Sequence, residues 1–161
     1  MFKADQVLAD LYVLLTFDGF HLFIPQDDIE SVEIIADVLV IHTAIGAIGW
    51  FGQHGFGGDS PIFCFSNVLT LLSDLPENRE YFILLKAPEQ PLGIACDEVE
   101  TINIKTSHLH PQPIPLVMRA KNSPISQLLI YEEKIACVCK GMDLIKYTQE
   151  LSEQFLAARE Q

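Results

Sequence analysis

The chain has 161 residues, 49% of them hydrophobic, about one domain's worth with a real core to bury. Twenty-two acidic side chains against 10 basic give a formal net charge of −12. That disfavours nucleic acid and anionic membrane, which are bound through basic patches, and leaves solubility or a basic protein partner as the use of the charge.

No basic segment followed by an apolar run opens the sequence, so the expectation is a cytoplasmic protein with no secretory leader. Residues Met1 to Asp10 are weakly helical or a simple lead-in. Tyr12 to Phe17 and Phe20 to Pro25 are apolar, β-rich runs. Asp18-Gly19 between them marks a hairpin, because a type I′ turn needs positive φ at both central residues. Gln26-Asp27-Asp28 is a polar corner. The mixed spacing of Ile29, Val32, Ile34 and Ile35 allows a short helical turn leading into a strand.

Val38 to Gly58 carries no formal charge, but its apolar part falls short of the ~20 residues of a membrane span. His42, Thr43, Gln53, His54 and several glycines interrupt it, so two buried strands are expected there. Gly52 to Ser60 is a glycine-rich loop, and Pro61 to Phe65 a short strand. Ser66 or Asn67 can cap a helix running to Leu75, which Pro76 ends.

Tyr81 to Leu85 and the strand from Leu92 form a central hairpin. Pro88 and Pro91 remove two backbone donors, so the ladder stops between them. Asp97 and Glu98 then need water or a donor before Val99 and Ile102 return to the interior. Thr106 to Pro115, with three prolines and two histidines, reads as a loop. Ile125 to Tyr131, the turn Glu132-Glu133 and Lys134 to Cys139 make a third hairpin. An amphipathic helix closes the chain over about 143–159, with Leu144, Leu151, Phe155 and Ala158 near the helical period.

Short strands, tight turns and few helices predict a mainly β barrel or sandwich. Two halves of similar hairpin content divide near Glu77 without sequence similarity between them. Four places carry a resemblance. They are Phe17-Asp18-Gly19 with Phe23-Ile24-Pro25; Gly49 to Gly55 with Pro61-Ile62-Phe63; Gly93-Ile94-Ala95-Cys96-Asp97-Glu98-Val99; and Ile135 to Ile145. In order and spacing the chain resembles the CheW-like domain family from roughly Tyr12 to Ile145.

The resemblance implies one CheW-like domain over 1–161, built of two five-stranded β-barrel subdomains with interleaved strands. A short helix would lie between them and an amphipathic helix at the C-terminus. It implies a non-catalytic adaptor that couples chemoreceptors to a histidine kinase in chemotaxis or pilus-type motility. The partners would be the kinase's CheA-like regulatory domain and the receptor's cytoplasmic tip, with recruitment to membrane receptor arrays. The groove between the barrels would take the receptor, and Ile29, Val32 and His54 match positions near it. The exposed edge of the first barrel would meet the kinase. His54 stands where the family carries arginine, and Cys64 where it usually has aspartate, which fits an accessory homologue.

Other candidate chemistry is incomplete. The loop from Gly52 to Gly58 invites phosphate, but Asp59-Ser60 follows where a phosphate loop needs lysine before its hydroxyl. Cys137 and Cys139 share a strand face with parallel side chains ~6.6 Å apart along the strand, which disfavours a disulfide. They read as packed thiols, as do Cys64 and Cys96. His108 and His110 lack the third ligand of a zinc site. Adjacent Asp97 and Glu98 on a strand would point to opposite faces, which defeats a shared acid–base site. No metal or cofactor is therefore expected. Trp50, Phe51, Phe56 and Phe63 read as core, with an exposed anchor as the other possibility. The rival function is a small-molecule-binding or enzymatic β-barrel using loop 52–58 and the thiols.

Overall fold

The computed structural model describes residues 11–35, 39–43, 46–52, 59–67, 69–70, 72, 76–87, 92–103, 110–113 and 123–159. Among these, two sheets of six strands carry the architecture. The first sheet runs, in spatial order, β10 (His110–Pro113), β11 (Ile125–Tyr131), β12 (Lys134–Cys139), β2 (Phe20–Pro25), β1 (Leu11–Phe17) and β9 (Glu98–Asn103). The second runs β3 (Ile29–Ile34), β7 (Tyr81–Leu85), β8 (Leu92–Cys96), β6 (Asp59–Phe63), β5 (Gly46–Gly52) and β4 (Leu39–Thr43). Helix α1 (Gly141–Arg159) follows the last strand.

The two sheets share a plan. Each is a pair of antiparallel triplets joined at its middle by one parallel pair, β12 with β2 in the first and β6 with β8 in the second. The likeness of halves near Glu77 is thus a likeness of sheets, and the sheets are interleaved. The chain's two ends build the first sheet and its middle builds the second. The chain passes between them twice, at a 3-10 turn (Gln26–Asp28) and at Asp97. The expected two-subdomain β architecture is met, with a sixth strand in each sheet.

Alternation along the strands explains the long apolar runs. Val13, Leu15, Phe17, Leu22 and Ile24 of the first sheet meet Phe63, Ile83, Leu85, Ile94 and Cys96 of the second in one core. The intervening residues Tyr12, Leu14 and Phe23 join Ile102, Leu129, Ala136 and Val138 in a core private to the first sheet. Ile62, Cys64, Phe82, Leu84 and Ala95 form the second sheet's own core. Strands buried on both faces need apolar residues at every position, so their polar–apolar period is lost. Leu144, Ile145, Tyr147 and Leu151 of α1 pack on the shared core.

The opening turn has φ of 50° at Asp18 and 79° at Gly19, as the Asp-Gly signal requires. The central hairpin pairs Tyr81 with Cys96 and Leu85 with Leu92. The third hairpin turns at Glu132 and Glu133, both at positive φ.

Two expectations are corrected. The described part of the Ser66–Leu75 segment is a turn and not a helix. Leu69 donates its amide to the Ser66 carbonyl and has φ 60°, a conformation no α-helix passes through. Its side chain is buried in the shared core, so tertiary burial overrides the capping signal. The Thr106–Pro115 loop contains strand β10, paired to β11. Its prolines are tolerated because β10 is an edge strand, where a missing donor breaks no second ladder.

Candidate functional site

The face of each sheet that meets the other extends beyond the covered core. On β3 a one-residue bulge at Glu30 sets Ile29 opposite Leu85 and Val32 opposite Ile83. Leu85 and Ile83 belong to the shared core, so Ile29, Val32 and Ile34 lie on that same face. Ile29 packs half-buried against the core. Val32 is 45% exposed and Ile34 66%. The first sheet behaves alike. Cys139 is buried in the shared core and Cys137 half-buried against it, while Ile135, next on that face, is 66% exposed. Ile130, its direct cross-strand partner, is 41% exposed. An apolar seam thus runs from the interior to solvent on both sheets.

Carboxylates close the two crossings between the sheets. At the second, Arg79 has a side chain with no exposed surface. Its NH2 donates to Asp18 Oδ2 at 3.0 Å and to the Phe65 carbonyl at 2.7 Å. Its NH1 donates to Asp97 Oδ1 at 2.9 Å and to Asp18 Oδ1 at 3.3 Å. The guanidinium lies 5.2 Å from the centre of the Phe17 ring, within cation–π range. Asp97 Oδ2 also accepts the Asp18 amide, and the Asp97 amide donates to the Thr16 carbonyl. Burial would lower the arginine pKa, but the hydrogen bonds to Asp18 and Asp97 outweigh it and raise it, so the group is cationic throughout. Nε is buried without a hydrogen-bond partner.

At the first crossing Asp28 does a different job. Lys140 offers its carbonyl to the Leu144 amide, the first turn of α1, and so occupies the cap position with no short side-chain acceptor. Asp28 Oδ2 supplies that acceptor from 113 residues away, taking the Gly141 amide at 2.9 Å. The Asp28 carbonyl accepts the Lys86 amide. A Cβ on Gly141 would fall 2.8 Å from the Asp28 Cβ, so glycine permits this approach. The Tyr147 hydroxyl then fastens α1 to the Leu69 carbonyl at 2.8 Å.

The other sequence candidates fare unevenly. His54, the glycine-rich loop 53–58, Phe56 and His108 lie outside the described residues, as do the side chains of Trp50, Phe51 and His110. Asp97 and Glu98 do separate: Asp97 turns to Arg79 while Glu98 is exposed. All four thiols are free. Burial pushes Cys64 up while Arg79 pulls it back, and burial pushes Cys96 up to about 12. Such thiols are poor nucleophiles. Among the described residues no three side chains of metal-ligating type converge. A cleft of about 130 Å³ beside α1, lined by Ser123, Asp143, Lys146, Tyr147 and Glu150, is well below the ~300–1,000 Å³ of ligand pockets. No described helix is long and apolar enough to cross a membrane.

Arg79 escaped sequence reasoning because Pro76-Glu77-Asn78-Arg79-Glu80 reads as a solvated turn. The available signal was Asp97, a carboxylate closing an apolar strand with no donor beside it in sequence.

No family model matches the chain, and no curated protein matches it. Among solved structures it is similar to the scaffolding protein TtCheW from Thermoanaerobacter tengcongensis, with a TM-score of 0.61. The match covers 83% of this chain and 90% of that one at 17% sequence identity. The interleaved sheets, the shared core and this likeness together give the chain the CheW-like fold.

Proposed function

We propose that the chain is a single-domain, non-catalytic adaptor of bacterial chemosensory signalling, joining chemoreceptors to a histidine kinase. The observation that carries this is the fold it shares, over most of both chains, with a protein described as a scaffold. The partners are a CheA-like kinase regulatory domain and the cytoplasmic tip of a receptor, met on the cytoplasmic side of a receptor array. The apolar seam is suited to an amphipathic helix, which docks by laying apolar side chains into such a groove. Ile29, Val32 and His54 are the receptor-contact residues in this proposal. A net charge of −12 favours a partner with basic flanks.

Titration calorimetry of the intact chain tests the proposal. Saturable binding of an isolated CheA-like regulatory domain is expected. A receptor-tip helical hairpin should bind weakly to the wild type. His54→Arg should tighten it by about one to two decades, since a charge-assisted pair is worth ~1.5–3 kcal/mol. Val32→Ala should loosen it. No saturable heat with either partner would overturn the adaptor role. Tight wild-type binding that His54→Arg leaves unchanged and salt abolishes would move the contact to another face.

A further inference from the structure

We infer that Arg79 fixes the angle between the two sheets and is thereby a positioning residue for the seam at which a partner docks. Each sheet also holds an apolar core of its own, and Arg79 touches the second sheet's core only beside Cys64, so each sheet has its own reason to stay folded. The core they share is apolar, and apolar burial is non-directional, favouring contact without selecting one angle. The guanidinium is directional: its planar fork accepts partners only along set axes. Here it takes Asp18 from the first sheet's opening turn, the Phe65 carbonyl just after β6 of the second sheet, and Asp97 where the chain passes between them. Three attachments from the two sheets and their joint, on one rigid plane, define an orientation. Phe17 beneath the guanidinium is itself a shared-core residue, so the fork and the apolar contact are in register.

The angle stands independently of the adaptor role; its consequence for docking rests on that role. The test is residual dipolar coupling of backbone amides in a weakly aligned medium, with one alignment tensor fitted to β1, β2 and β12 and another to β6, β7 and β8. In the wild type the two tensors should coincide. In Arg79→Met they should diverge, and Arg79→Lys should not restore them, because lysine keeps the charge but lacks the fork. Asp18→Gly guards against a variant that fails to fold. Gly-Gly suits this turn, and Arg79 keeps Asp97 and the Phe65 carbonyl, so the fold persists while one attachment is lost. Its tensors should diverge by less than those of Arg79→Met. Coincident tensors in folded Arg79→Met, or in Asp18→Gly where Arg79→Met does not fold, would overturn the inference. Binding of the receptor-tip hairpin is read separately. Divergent tensors with no wild-type binding of either the kinase regulatory domain or the hairpin would overturn the adaptor role and leave the joint standing.

Discussion

The two crossings between the sheets are closed by opposite means. At the first, Asp28 accepts a neutral backbone amide from the start of α1, on a side chain that water still reaches. At the second, Asp97 accepts from a cation that water does not reach at all. The difference follows from what lies nearby. A helix start offers orphan amides, and one carboxylate satisfies one of them at a typical worth of about 1 kcal/mol. No helix starts at Asp97, so its donor is a side chain from a separate turn, and Asp18 from a hairpin 61 residues from Arg79 shares it. A cap can be lost with modest harm. A buried cation that loses its partner leaves a charge without compensation.

The largest test of this contrast is Arg79→Ala, which should cost about 3–5 kcal/mol in urea unfolding, leaving Asp18 and Asp97 facing each other over a void. Asp97→Ala leaves Asp18 and the Phe65 carbonyl on the guanidinium and should cost about 1.5–3 kcal/mol. Gly93→Val probes the approach to the same crossing. A Cβ there would sit 2.7 Å from Ile62 Cγ1, so β6 and β8 must part, at about 1–3 kcal/mol. Asp28→Ala, at the other crossing, should cost about 1 kcal/mol and show as faster amide exchange in the first turn of α1. An Asp28→Ala loss equal to that of Asp97→Ala would erase the distinction.

The smallest effect, with no pH dependence near neutrality, comes from the thiol beside the second crossing. Burial, then the Asp97 carboxylate, pushes Cys96 up from 9.0 to about 12, so the folded state holds this proton more tightly than the unfolded chain. Its contribution is complete below about pH 9 and is lost as pH rises toward 12. Urea midpoints should therefore fall with rising pH in that window, and Cys96→Ala should lessen the fall, since burial raises Cys64, Cys137 and Cys139 as well.

What the sequence made legible was local. Asp18-Gly19, the run from Tyr81 to Cys96, and Glu132-Glu133 between two apolar runs each define a hairpin within a few residues of themselves. The helix was read from Leu144 and Leu151, which do face the shared core. Its start at Gly141 was not, because the residue that caps it is Asp28. Strand β10 was missed because prolines forbid a central strand and say nothing against an edge. Of the candidate site, Ile29 and Val32 were marked by resemblance alone: their mixed spacing suggested a helical turn leading into a strand, because the bulge at Glu30 that sets both on one face of β3 breaks the strand period. Arg79 was illegible because its burial depends on partners from three distant segments, none of which marks it in its own neighbourhood.

A double-mutant cycle between Arg79→Met and Asp97→Asn, read as unfolding free energies in urea, tests most directly that charge closes the second crossing. A coupling energy of about 1.5–3 kcal/mol is expected, the worth of a hydrogen bond to a charged group. Losses that add within about 0.5 kcal/mol would contradict it and leave the Arg79–Asp97 pair with no share in holding the crossing closed.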